Sequence, residues 1–473
     1  MKSSQYMTEG SIASAIIRFS IPLFLGSVFQ QLYNVVDSII LGQFVGKEAM
    51  AAVGVSFPIT FLLIALVMGL TMGSMVLISQ YYGAKNIQKV KLTISTTTFI
   101  LLWTVVVVTL LGVLFGGWIL KLIRTPGDIF FMAHRYTMIM FLGMFALFGY
   151  NGLSAILRGM GDSKTPLYLL IFSTILNILL DLLFVLVWKW GVEGVAVATV
   201  IAQAFSFVFG LLFLFKKSEF FRFRPKEFRF DWDIMKKSLA IGMPSGVQQV
   251  MVAIGSMILV GLVNAFGTDA IAAFTAAGRI ESFTMMPAMN ISMAISTFVG
   301  QNIGAGREDR VKQGVGVALV MATLLSVVLS LLMVTFAESL VMIFNRDASV
   351  VRIGREYMWI VAPFYLAFMV MFVFNGALRG AGDTFIPMII TILSLWGLRI
   401  PVSVFFSRYW GTNGIWWGIP VAWLFGMVFS GLYFLTGRWR NKVVVKEHHI
   451  PLEALEAVAA FECEENERKE CLP

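Results

Sequence analysis

Gln80-Tyr-Tyr-Gly83-Ala84 recurs as Gln301-Asn-Ile-Gly304-Ala305, 221 positions further along the chain. Arg158-Gly-Met-Gly161-Asp162 recurs as Arg379-Gly-Ala-Gly382-Asp383 at the same spacing. Pro166 and Pro387 repeat it, as do Ala49-Met-Ala-Ala52 and Ala270-Ile-Ala-Ala273. Four separated matches in one register predict two structurally equivalent halves. In a membrane protein such duplication points to a transporter with its site between the halves.

The setting of these motifs is a bilayer. The chain is 58% hydrophobic and 13% charged, with 42 Phe among 473 residues, more apolar surface than a soluble core can hide. Charge-free runs cover 49–84, 92–120, 136–157, 194–215, 238–268, 282–306, 313–337, 357–378 and 409–437. Each exceeds the ~20 residues that cross ~30 Å of hydrocarbon as a helix. Three more segments, 19–37, 165–188 and 384–407, carry or end on a single charge. The expected fold is therefore an all-α membrane protein of twelve transmembrane helices in two six-helix lobes. Spanning β-strands are excluded because the runs lack alternation at period two.

Six spans per half is an even number, so both halves enter the membrane in the same sense. A parallel repeat about an axis along the membrane normal follows. The expected divisions are an N-terminal lobe over 1–216, a basic loop over 217–236, a C-terminal lobe over 237–437 and a tail over 438–473. Lys85, Lys89, Lys164, Arg307, Arg310 and the basic residues of 216–237 and 438–446 fall on the side of both termini. By the positive-inside rule that side is cytoplasmic. The net charge of +9 then reflects topology and anionic lipid rather than nucleic acid. The first apolar segment lacks a small-residue cleavage site and reads as a helix, not a leader. Cys463 and Cys471 lie in the acidic tail, where a reducing compartment disfavours a disulfide. With His448 and His449 they match no zinc spacing.

Charges inside spans are costly unless paired or hydrated, so they mark function. Asp37 lies 19 residues after Arg18, Asp181 lies 17 after Lys164, and Thr199 lies six after Glu193 on a helix of opposite sense. At ~1.5 Å per residue all three reach one level in the outer half. Ser27, Gln30, Asn34 and Asp37 form one stripe of the first span. Ser173, Asn177 and Asp181 do so in the fifth, and Thr199, Gln203 and Ser206 in the sixth. Facing stripes would build a wet cavity whose oxygens suit a hard cation such as Na+. A buried Asp there can carry a proton instead. Ser27, Gln203 and Ser206 have a plainer use as interhelical hydrogen-bonding groups, worth ~0.6 kcal/mol each.

The second half differs. The seventh span has Gln248 and Gln249 where the first has its acid, the eighth holds Arg279 and Glu281, the tenth Asn375 and the eleventh Arg399. Arg279 and Glu281 are two apart and do not pair automatically. Pro22 and Pro244 open the first and seventh spans one residue out of register, and a bend at Pro22 would move Asp37. The Arg-Gly-x-Gly-Asp repeats read as tight turns whose glycines take positive φ.

With Pro22, the 31–37 stretch Gln-Leu-Tyr-Asn-Val-Val-Asp, both Gln-x-x-Gly-Ala motifs, both Arg-Gly-x-Gly-Asp turns, Asn177 and Asp181, the chain resembles the multidrug and toxic compound extrusion (MATE) family over nearly all twelve spans. The resemblance implies a V of two lobes, alternating access and export of amphipathic, often cationic compounds against inward Na+ or H+. It implies a bacterial inner membrane, a monomer, no cofactor beyond the coupling ion and no enzymatic activity. The chain resembles the bacterial branch with coupling acids in the N-terminal lobe. Carried over, the cation-coupling residues are Asp37, Asn177, Asp181 and Thr199. The supporting or substrate-cavity residues are Gln30, Asn34, Tyr136, Asn151, Gln203 and Glu281. Branches with acids in the seventh and tenth spans find glutamines and Asn375 here, which puts C-lobe coupling in doubt. A flippase for lipid-linked oligosaccharides, of the same superfamily, is the alternative. It calls for several cavity Arg or Lys, and here only Arg279 and Arg399 are available. An intramembrane enzyme is disfavoured because the spans hold no metal-ligand or nucleophile–base pattern.

Overall fold

A computed structural model of the chain describes residues 7–217 and 228–445, and all regular structure among them is helical. Cys463, Cys471, His448 and His449 lie outside the described residues. Twelve long helical segments run in sequence. In the first lobe they are α1 Ile12–Val45, α2 Lys47–Gly83, α3 Ile87–Leu122, α4, α5 Lys164–Val187 and α6 Val192–Phe215. Here α4 is Gly127–Leu142 joined to Met144–Gly159 with a 48° bend. In the second they are α7 Trp232–Asn264, α8 Thr268–Gly304, α9 Glu308–Thr335, α10 Ala348–Gly380, α11 Phe385–Trp410 and α12 Thr412–Leu435. Ten of these are individually long and apolar enough to cross a membrane, and bent α4 makes an eleventh. The twelfth, α8, has 37 residues, and Asp269, Arg279 and Glu281 dilute its apolar character.

The first span is longer than the 19–37 segment read from the sequence. Helix α1 continues through Asp37 and closes with a π-helical turn over Leu41–Val45. Helix α5 closes in the same way over Leu183–Val187. The charge does not end α1 because Asp37 finds partners on neighbouring helices, described below. Gly46, at φ 112°, makes the turn into α2.

The lobes meet where α1 and α2 pack on α7 and α8. Gly69 and Gly73 of α2 oppose Gly242 and Gly246 of α7, two small-xxx-small faces that let backbones touch. A Cβ at Gly73 would lie 1.9 Å from the Ser238 carbonyl oxygen, so only glycine fits. Ser74 and Ser238 hydroxyls bond across this contact at 3.0 Å. Within the first lobe α5 packs on α1 and α6, which carries Asp37, Asp181 and Thr199 toward one place. An apolar cavity of about 630 Å³, lined by Ile59, Leu66, Val108, Phe115, Met243 and Val250, opens between α2, α3 and α7.

Candidate cation site in the first lobe

Helix ends set the level of the site. Asp37 stands eight residues before Val45, Asp181 six before Val187 and Thr199 seven after Val192, so all three lie about two turns from the same end of the bundle. Asn177, one turn before Asp181, completes the group; both are fully buried. With its orientation set by the hydrogen bonds available, the Asn177 amide nitrogen donates to Asp37 Oδ1 at 3.0 Å and to Asp181 Oδ2 at 3.2 Å. Asn177 thus bridges the two carboxyls and holds them close enough to interact electrostatically. Such a pair needs a proton or a cation between its oxygens, since two bare carboxylates repel. Asp181 Oδ1 is buried and has no partner among the described residues.

Tyr33 ties the third helix in. Its hydroxyl donates to Thr199 Oγ1 at 2.9 Å and lies within reach of Asp37. Sequence reading missed Tyr33 as a site residue. The signal was present, because Tyr33 is one helical turn before Asp37 on the same face. Tyr136 of α4 stands next to both acids. Ile40, Leu41, Val185, Val192 and Val195 form an apolar cluster on the same helices, with Tyr136 packed against it. Near its rim Arg135 of α4 and Glu193 of α6 form an ion pair at 2.5 Å.

The stripes are less uniform than their spacing implied. Gln30 and Asn34 are exposed on α1. Ser27 bonds to Asn290 of α8 in the other lobe, with Asn290 Nδ2 donating at 3.0 Å. Of the α1 stripe it is Asp37 that enters the cluster. Ser206 donates to the Leu169 carbonyl at 3.0 Å, an α6–α5 tie of the plain structural kind. Asn151 spends an amide hydrogen on Leu147, one turn back in its own helix, at 2.8 Å. Gln203 is half-buried on α6.

In the second lobe Glu281 is buried and accepts from the Tyr357 hydroxyl at 2.6 Å. Arg399 lies close enough to interact with it electrostatically, whereas Arg279 is exposed. Glu281 therefore belongs to a polar cluster inside the second lobe, away from the paired aspartates. Trp416 packs edge-to-face against Tyr357 at 5.0 Å between ring centres.

A duplicated twelve-helix membrane bundle is the architecture of a transporter, and comparison gives the family. The MatE family model matches twice, over 22–183 and over 244–405. Its spacing of 222 places Pro22 on Pro244. The chain is 30% identical over 433 residues to the probable multidrug resistance protein YpnP of Bacillus subtilis, covering 92% of this chain and 97% of that one. It is 28% identical over 447 residues to the probable multidrug resistance protein NorM of Thermotoga maritima, covering 93% and 96%. Among solved structures it is similar, at TM-score 0.86 and 23% identity over 93% of this chain and 99% of the other, to an outward-facing multidrug resistance MATE transporter. The chain belongs to the MatE family, and its two lobes are the family's V-shaped pair.

Proposed function

We propose that the protein is a secondary active efflux transporter. It exports amphipathic, often cationic small molecules in exchange for Na+ or H+ by alternating access. The observation that supports this most is the convergence of Asp37 and Asp181 on one amide, with Asp181 Oδ1 left without a partner among the described residues. Asp37, Asn177, Asp181 and Thr199 are the coupling residues on this reading. The lobes divide near 216 and 237. Both termini face the cytoplasm, the membrane is the cell membrane and the working unit is a monomer.

The geometry gives the coupling a physical route. Without an ion, Asn177 donates both hydrogens and holds the carboxylates of α1 and α5 apart from outright repulsion. Turned by half a rotation, the same amide offers its oxygen, and with Thr199 and the two acids makes an oxygen cage for Na+. A proton shared by the acids relieves the same repulsion. Either ion draws α1 toward α5 and α6 and so favours one lobe arrangement over another by its differential affinity. Pro22, fifteen residues before Asp37, lets α1 bend while its outer part follows the ion.

Efflux of a cationic dye from proteoliposomes under separately imposed Na+ and H+ gradients tests the proposal. Movement driven by one gradient and not by its absence supports it and names the ion. Folded protein that moves no dye under either gradient would rule out drug export and bring forward a lipid-linked oligosaccharide as cargo.

A further inference from the structure

The repeated glutamines are built into one two-fold device. Gln80 of α2 and Gln301 of α8 are both fully buried. Gln80 Nε2 donates to the Gly380 carbonyl at 3.0 Å, and Gln301 Nε2 donates to the Gly159 carbonyl at 3.1 Å. Those acceptors are the equivalent glycines of the two Arg-Gly-x-Gly-Asp turns. Each glutamine thus reaches the turn of the opposite lobe. Beside them α2 and α8 cross backbone to backbone. A Cβ at Gly83 would sit 1.9 Å from the Gln301 carbonyl oxygen, and one at Gly304 would sit 1.8 Å from that of Gln80.

The remaining oxygen of each amide is taken by the segment before α1 or after α12, again from the opposite lobe. Gln301 Oε1 accepts from the Met7 backbone N–H at 3.0 Å. Gln80 Oε1 accepts from the Val444 N–H at 3.1 Å. The segment before α1 is further held on the second lobe, where Asn302 donates to the Met7 carbonyl at 3.2 Å and Arg307 to that of Thr8 at 2.6 Å. The segment after α12 packs Val444 and Val445 against the first lobe's core around Val76 and Tyr81. The short segments before α1 and after α12 are exchanged straps.

We propose that Gln80 and Gln301 are a symmetric pair of latches that hold the bundle shut at the end carrying both termini, and that each latch is completed by the terminal segment of the lobe opposite to it. All four amide bonds described run between lobes, so every one breaks when the lobes part at this end. Glutamine is required because one planar group must both donate and accept; glutamate loses the donor and leucine loses both. Releasing either strap from its glutamine biases the protein toward opening at this end. The inference rests on the alternating-access reading only in treating the lobes as moving bodies, and no part of it depends on which ion is coupled.

The test is a distance between the lobes, read without substrate or ion gradient. Spin labels go on Lys164→Cys and Lys312→Cys, exposed positions at this end of each lobe, in full-length protein carrying Cys463→Ser and Cys471→Ser in nanodiscs. Gln80→Leu and Gln301→Leu each remove two inter-lobe hydrogen bonds and are each expected to raise the population at the longer distance by at least about five-fold, the worth of one typical hydrogen bond, and together by more. Met7→Pro removes the backbone donor together with the buried Met7 side chain, so Met7→Ala, which keeps the N–H, is its control; beyond that control Met7→Pro is expected to act in the same direction as Gln301→Leu, with no further effect when the two are combined. An unchanged distribution in the folded double glutamine variant overturns the latch. Should that variant not fold, an unchanged distribution in Met7→Pro overturns the strap. Because efflux is not measured, loss of transport in a coupling variant leaves this result independent.

Discussion

Asp37 of α1 and Asp181 of α5 both accept from the side-chain amide of Asn177, at 3.0 and 3.2 Å. One neutral donor between a buried and a half-buried acid is a compromise that an added positive charge would improve. On the proposed reading the coupling ion supplies that charge. From this relationship the consequences for ligand linkage and mutation can be worked out.

A bound ion stabilises the folded protein by mass action. If Na+ is the coupling ion, thermal unfolding shifts upward with Na+ but not with an equal concentration of choline. At a hundred times its dissociation constant the gain is about 2.7 kcal/mol. Asp181→Asn abolishes the shift, and a shift that persists in this variant would place the ion elsewhere.

Asn177→Leu keeps the size of the side chain and removes both its donor and its oxygen. It is expected to weaken ion-driven efflux at least ten-fold, because the acids lose their mediator and the cage loses a ligand. Asn177→Gln, which retains the group on a longer stem, is expected to fall between it and wild type. Initial efflux rates across a series of ion gradients measure both.

Tyr33→Phe removes the 2.9 Å bond to Thr199 and leaves the ring packing. A cost of about 1 kcal/mol is expected, seen as a several-fold rise in the ion concentration for half-maximal efflux. Thr199→Val should cost more in affinity, since it removes a ligand oxygen as well as the tie. Equal, unaltered ion dependence in both variants would argue against Thr199 as a ligand.

At the lobe interface, Gly73→Ala and Gly242→Ala put a Cβ 1.9 Å from the Ser238 carbonyl oxygen and 2.3 Å from that of Gly69. Backbone cannot step aside cheaply, so each should destabilise the observed arrangement by about 1–3 kcal/mol. Gly54→Ala, also in α2, meets nothing within 4 Å and should be neutral or slightly stabilising. Thermal unfolding of the three variants side by side reads the difference.

Much of this was legible in the sequence, for identifiable reasons. Repeat register and apolar run length gave twelve spans because both are one-dimensional properties. Asp37, Asn177, Asp181 and Thr199 met because depth follows from residue counts along straight helices. Facing is harder to read than depth. Ser27 lies on the predicted stripe yet turns to Asn290 of the other lobe, since α1 is shared between the site and the lobe interface. Gln80 and Gln301 were visible as a repeat, but their partners lie 142 to 364 positions away, in turns and in the segments flanking α1 and α12, which carry no periodicity. The π-helical ends of α1 and α5 left no mark, because Leu-Gly-Gln-Phe-Val and Leu-Phe-Val-Leu-Val are ordinary apolar helix composition.

The most direct test of coupling through the acid pair is gradient-driven dye efflux by Asp37→Asn and Asp181→Asn beside wild type, in liposomes of matched protein content. Both variants are expected to bind dye and fold normally, yet to lose dependence on the ion gradient that drives wild type. Either variant pumping at the wild-type rate under that gradient would contradict coupling through this pair.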